Sequence, residues 1–315
     1  MTSTRDLAPP PQPGVRGVVR KAVGGVYEVR LAQGEVVEAR LRGRLKLEQR
    51  TGDAVAVGDR VQLHLHPDGG YTIEAIEPRE SELARRSPGG RRAKVIVANV
   101  DQVMIVLAAA RPEPNLRMLD RFLVLCEANY LPAVVIVNKT DLVPGDAVRA
   151  RFAAYEAAGY RVLPVSVRDD VGVEEVSRLL CGRTSVLTGP SGVGKSSLLN
   201  AIQPGLTLRT GEVSQAVGKG THTTVSAELV PLECGGYVAD TPGLREVGLW
   251  AVPLEELDTF FPEFEPYLGQ CRFTSNCTHT HEPDCAVSGA VAAGEISAER
   301  YESYRHLLQG DADRS

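Results

Sequence analysis

The stretch with the most chemistry per residue is Gly189-Pro190-Ser191-Gly192-Val193-Gly194-Lys195-Ser196-Ser197, which fits G-x-x-x-x-G-K-[ST] without a mismatch. Its glycines let the backbone turn tightly and aim several N–H groups at one point, making an anion-binding nest. A following helix would add the partial positive charge of its N-terminus. In such a cradle Lys195 holds the β- and γ-phosphates of a nucleotide, and the Ser196 hydroxyl coordinates Mg²⁺. The flanks supply the required context. Thr184-Ser185-Val186-Leu187-Thr188 reads as a buried strand, and Ser197 to Ile202 can open a helix.

A second stretch, Asn138-Lys139-Thr140-Asp141, ends another apolar run. The Asp141 carboxylate can accept from guanine N1–H and N2–H₂ together, a donor pair that adenine lacks. Asn138 can brace the loop and reach the base edge, and the Lys139 stem can lie along the ring. Ser166, at the end of a further run, suits a loop that backs the base through its backbone. Its neighbours Val167 and Gly172 depart from the usual Ser-Ala-x-x-Gly form. Asp240-Thr241-Pro242-Gly243 follows an apolar strand; Asp240 can hold Mg²⁺ through water and the Gly243 amide can meet a γ-phosphate. The Gly-rich segment 204–224 ends in Gly220-Thr221-His222-Thr223-Thr224 and reads as a switch loop. Either Thr223 or Thr224 supplies its metal ligand; spacing does not decide between them. Leu244 stands where a water-orienting Gln often follows this motif, so intrinsic turnover should be feeble.

A third constellation lies near the C-terminus. Cys271, Cys277, His279 and Cys285 offer three thiolates and an imidazole, with His281 as a competing nitrogen. Four soft ligands leave no position for water, so a zinc held there is structural. Cys126, Cys181 and Cys234 read as isolated and inert, and this cysteine usage fits a reducing cytoplasm.

These residues need a framework. The 315-residue chain is 43% hydrophobic, ample for a packed core and for about two domains. Residues 1–13 read as a disordered tail. Short alternating strands between 14 and 77 suggest a five-stranded OB-fold barrel. Residues 78–94 read as a basic linker. From 95 to 248, near-continuous apolar runs alternate with helical patterns, as in a doubly wound parallel sheet. Val95–Val100 is read as one of its buried strands. Residues 249–315 form a small, mostly helical zinc domain. The net charge of −5 hides a polarised distribution. Residues 14–50 carry nine Lys/Arg against four Asp/Glu, whereas 249–315 carry four against twelve. The N-terminal part therefore suits a polyanion such as RNA. No apolar run spans a bilayer, and no signal-peptide core is present.

The motif order is base motif, phosphate loop, then Asp-Thr-Pro-Gly, a circular permutation of the usual order. With the basic barrel before it and the metal cluster after it, the chain resembles the ribosome small subunit-dependent GTPase A family over residues 14–305. The resemblance rests on Ile96–Asp101, Asn138–Asp141, Gly189–Ser197, His222-Thr223-Thr224 and Asp240–Gly243. It implies slow GTP hydrolysis stimulated by the small (30S) ribosomal subunit and a role in that subunit's late maturation. It also implies contact with rRNA and assembly factors, a cytoplasmic monomer, and Mg²⁺ with GTP. It points to His222 as the group positioning the attacking water, so Lys195, His222, Thr223 and Thr224 form the candidate catalytic set. It favours His279 over His281 as the zinc ligand. The alternative is a nucleotide-dependent RNA-binding switch whose hydrolysis is incidental; Asn138–Asp141 argues against an ATP-using kinase.

Overall fold

The structure is a computed structural model. It describes residues 14–43, 55–86, 93–206, 227–241, 252, 254–273 and 276–310. The chain divides into two compact units, Met1–Arg79 and Glu80–Ser315. Among the described residues no helix is long and apolar enough to cross a membrane.

The first unit contains five strands: β1 (Val15–Val23), β2 (Val26–Leu31), β3 (Val36–Leu41), β4 (Arg60–Leu65) and β5 (Tyr71–Ile76). They pair in the order β1-β2-β3-β5-β4, and β4 returns to β1, so the sheet closes into a barrel. Alternation explains the closure. Val37, Ala39 and Leu41 point inward while the residues between them are exposed, and they meet Val19, Tyr27, Val29, Val61, Leu63 and Ile73 in one core. Gly17 is required where β1 crosses β2, since a Cβ there would stand 2.5 Å from Val29 Cγ1. The buried Asp59 accepts from Ala56 N–H at 2.7 Å and from Arg79 Nε and Nη2 at 2.8 and 3.0 Å. Part of the basic surplus is neutralised locally by the pairs Arg16–Glu77, Lys21–Glu28 and Arg42–Glu74.

The second unit begins with a separate hairpin, β6 (Glu82–Arg86) and β7 (Ala93–Ala98). The expectation that Val95–Val100 joins the parallel sheet is thereby corrected. Asn99 adopts a left-handed conformation (φ 52°) and its side chain accepts from Glu80 N–H, so the chain turns before the sheet begins. The stretch read as linker likewise contributes the strand β6.

The main sheet follows: β8 (Gln102–Ala108), α1 (Leu116–Ala128), β9 (Ala133–Asn138), α2 (Gly145–Ala157), β10 (Arg161–Pro164), α3 (Val173–Leu180), β11 (Thr184–Thr188), α4 (Lys195–Ile202), β12 (Glu228–Pro231) and β13 (Tyr237–Asp240). Within this unit the order is β10-β9-β8-β11-β13-β12, all parallel except β12. Every residue of β8 is buried, as an inner parallel strand requires. The carboxyl ends of β9, β11 and β13 thus share one edge, where ligands bind in such sheets. The C-terminal segment has two 3₁₀ turns (Leu254–Phe260, Pro262–Tyr267), α5 (Ala286–Ala292) and α6 (Ala298–Leu308). It packs on α1 through Val124, Leu257, Phe261, Phe264, Tyr304 and Leu307.

Candidate nucleotide and metal sites

The phosphate loop leaves β11 pressed against its neighbours. At Gly189 (φ 136°) a Cβ would lie 2.0 Å from the Val106 carbonyl oxygen, and at Gly194 (φ 95°) 2.3 Å from Asn138 Nδ2. Only glycine permits either approach. Helix α4 starts at Lys195 and is anchored by the buried Leu198 and Leu199. The Lys195 ammonium folds over the loop and donates to the carbonyls of Gly189 (2.8 Å) and Pro190 (2.6 Å). Ser196 is half-buried on the first turn of α4.

The base motif is tied to this loop. Asn138, buried at the end of β9, donates to the Val193 carbonyl at 2.9 Å and accepts from Lys139 N–H at 2.8 Å. Lys139 (φ 62°) donates to the Gly192 carbonyl at 2.6 Å and to the Arg111 carbonyl. Thr140 hangs from the Val165 carbonyl through both its N–H and its hydroxyl. The hydroxyl of the buried Ser166 donates to Asp141 Oδ1 at 3.1 Å and accepts from Asp169 N–H at 3.1 Å. Arg168 lies 3.8 Å from Asp141 Oδ2. A carboxylate is therefore fixed beside an amide cradle, a complement to a base with two adjacent N–H donors attached to phosphates.

At the end of β13, Asp240 and Thr241 are buried, and among the described residues the Thr241 hydroxyl has no hydrogen-bond partner. A buried carboxylate beside an orphaned hydroxyl fits a hydrated divalent cation with phosphate oxygens. His222, Thr223, Thr224 and Gly243 lie outside the described residues.

The C-terminal cluster assembles as a set. The candidate ligand atoms of Cys271, Cys277, His279 and Cys285 lie within 4.8 Å of one another. Cys271 Sγ and Cys285 Sγ are 3.8 Å apart, and His279 Nδ1 is 3.5 and 3.4 Å from them. Zinc–sulfur bonds of about 2.3 Å place tetrahedral sulfurs roughly 3.8 Å apart, so the donor set fits zinc. His281 points away, exposed and bonded to Thr280. Burial opposes ionisation of Cys285, but hydrogen bonds from Ser288 and His279 hold its thiol at about 7. The same sulfur caps α5, where the helix N-terminus favours a thiolate.

Four features escaped sequence reasoning. Asp258 accepts from His279 Nε2 at 3.2 Å and so aims Nδ1 at the sulfurs. Tyr301 and Tyr304 of α6 donate to the carbonyls of His279 and Thr278, bracing the same loop. Arg300, almost fully buried, donates to Asp120 at 2.6 Å and to Glu263 at 2.7 and 3.0 Å, joining α6 to α1. Finally, Cys181 and Cys234, read as isolated and inert, are bonded to each other. Nothing in the spacing of these residues marks them, because each pair is brought together by distant elements.

Comparison with known proteins agrees with this geometry. Residues 76–250 match the family model described as RsgA GTPase, and residues 16–72 match the RsgA N-terminal domain. The "Small ribosomal subunit biogenesis GTPase RsgA" of Gemmatimonas aurantiaca is 54% identical over 294 residues, covering 92% of this chain and 95% of that protein. The protein of the same name from Moorella thermoacetica is 45% identical, with 93% and 96% covered. Among solved structures, YjeQ from Thermotoga maritima aligns with a TM-score of 0.77 at 36% identity, covering 96% of this chain and 99% of that one. YloQ, titled a circularly permuted GTPase, aligns at 0.73 and 32%, with 96% of each chain covered. A closed barrel, a permuted parallel sheet with a phosphate loop and guanine motif, and these relatives have one reading: the chain belongs to the RsgA GTPase family and is a GTP-hydrolysing enzyme.

Proposed function

We propose that this GTPase acts on the small (30S) ribosomal subunit late in its maturation, turning over GTP slowly alone and faster when the subunit engages it. The observation that carries the nucleotide part is the bond from Asn138 to the Val193 carbonyl, which fastens the base-reading motif to the phosphate cradle. In this reading residues 95–248 bind and cleave GTP. Asp141 selects guanine, with Asn138, Lys139, Thr140 and Ser166 shaping its loop. The stretch Gly189–Ser197 wraps the phosphates, and Lys195 exchanges its carbonyl partners for β- and γ-oxygens. Ser196, Asp240 and Thr223 or Thr224 would hold Mg²⁺, which would supply positive charge to neutralise the phosphates. The Gly243 amide meets the γ-phosphate, and His222 orients the attacking water.

The barrel, residues 14–77, is assigned to rRNA because the relatives' name points to a ribosomal subunit and the barrel carries a basic surplus of which the exposed Arg40 is part. Residues 249–315 hold one structural zinc through Cys271, Cys277, His279 and Cys285; the ligand-atom spacing supports this. A cytoplasmic monomer that also meets other assembly factors completes the proposal.

The test is GTP turnover by the full chain with and without purified small subunits. Stimulation in the wild type, lost in His222→Ala with GTP affinity nearly intact, is the expected result. Unstimulated turnover would favour a nucleotide-dependent RNA-binding switch instead, and stimulated turnover surviving in His222→Ala would remove that residue from the mechanism.

A further inference from the structure

Cys181 directly follows α3, and Cys234 sits in the turn between β12 and β13, 53 residues later. Their Cα atoms are 5.2 Å apart, within the range a disulfide requires. The approach does not depend on sulfur. Gly182 N–H donates to the Gly235 carbonyl and Tyr237 N–H to the Arg183 carbonyl, each at 2.9 Å. Gly236 (φ 82°) packs so closely that a Cβ would stand 2.4 Å from the Arg183 oxygen. From there β11 and β13 run in parallel register, Thr184 beside Tyr237 and Val186 beside Ala239. The backbone therefore holds the two thiols within reach of each other in either oxidation state. Cys234 is exposed and Cys181 half-buried, so small reagents can reach the pair. Cys126, by contrast, is buried within α1, and the remaining cysteines belong to the metal cluster.

We propose that Cys181 and Cys234 are a thiol–disulfide exchange site for low-molecular-weight disulfides, and that closing the bridge staples together the two strands whose far ends carry the phosphate loop and Asp240. A disulfide in a reducing compartment is commonly a transient, redox-sensing one. The reversibility rests on the cytoplasmic placement proposed above; the bond itself does not. The Cys234 thiolate attacks one sulfur of glutathione disulfide and releases one glutathione thiolate. The Cys181 thiolate then attacks Cys234 Sγ in the mixed disulfide and releases the second. The two protein thiols lose two electrons and two protons, and the disulfide that is consumed leaves as two thiols.

The test equilibrates the full chain, zinc-loaded, in buffers of oxidised or reduced glutathione and maps the cross-linked peptides by mass spectrometry. The expected result is a Cys181–Cys234 cross-link that closes in oxidised and opens in excess reduced glutathione. The closed form should melt about 5–15 °C higher than the open one, a gap absent in Cys234→Ser. Cys181→Ser serves as the second variant should the first fold poorly. A bridge that resists excess reduced glutathione overturns the exchange but leaves the cytoplasmic placement to be tested by fractionation. Oxidation that stops at mixed disulfides, or equal melting temperatures in the two states, overturns the staple.

Discussion

In the proposed reading Asp141 meets guanine with its two oxygens, one of which accepts from the Ser166 hydroxyl. Exchanging the carboxylate for an amide puts a donor where guanine presents its own N–H groups. Asp141→Asn is therefore expected to weaken GTP binding by about a hundredfold or more, measured by competition between GTP and other nucleotides. Ser166→Ala loses one orienting bond and leaves Asp169 N–H without its acceptor; the loss should be about tenfold, visible in GTP affinity alone. In the metal cluster Asp258 plays the corresponding supporting part for His279. Asp258→Ala should lower zinc affinity by roughly 10- to 100-fold in a chelator competition, with zinc still bound stoichiometrically at saturation. An unchanged affinity would show that Tyr301 and Tyr304 suffice to orient the loop.

Helix α6 meets α1 through apolar packing and through one buried guanidinium. Arg300 touches two carboxylates and lies over the rings of Phe261 (4.7 Å) and Tyr155 (5.2 Å). Burial pushes the Asp120 carboxyl above its ordinary range even with Arg300 beside it. Removing the cation strands two carboxylates in a desolvated site. Arg300→Ala is expected to cost about 3–5 kcal/mol, read as a lower denaturation midpoint. In the barrel, Gly17→Ala would drive a methyl into Val29 and the Arg30 carbonyl, and about 1–3 kcal/mol of destabilisation should follow. The hairpin β6–β7 shows where segment identity fails as a guide. The apolar run 95–100 looks like any buried parallel strand, yet Asn99 turns it out of the sheet, and among the described residues it pairs with β6 alone.

For the whole molecule, the proposed rRNA contact predicts a definite salt response. Arg40 is exposed on β3, and Arg40→Glu should weaken small-subunit binding and flatten the dependence of log affinity on log salt by about one unit or less. Turnover without subunits should not change, because Arg40 belongs to the barrel unit rather than to the unit with the nucleotide residues. The ion pairs Arg16–Glu77 and Arg42–Glu74 show why charge counting overstates the basic surface: part of the surplus already has partners within the barrel.

Much of the site is legible in the chain because its requirements are local. A phosphate loop needs glycines, a lysine and a hydroxyl at fixed offsets, and Asn138–Asp141 occupies four consecutive positions. Residue order alone therefore pointed to a guanine-nucleotide site, to its permutation and to five zinc-ligand candidates, His281 among them. Spacing could not choose between His279 and His281, two residues apart and both within reach. The fold places Nδ1 of the first among the sulfurs and leaves the second exposed. Nor could spacing reveal Asp258 behind His279, Arg300 between Asp120 and Glu263, or Cys234 against Cys181. Those pairs are 21 to 180 residues apart, and only the path of the folded backbone brings them together, since a polar or sulfur side chain carries no mark of its partner until burial deprives it of water.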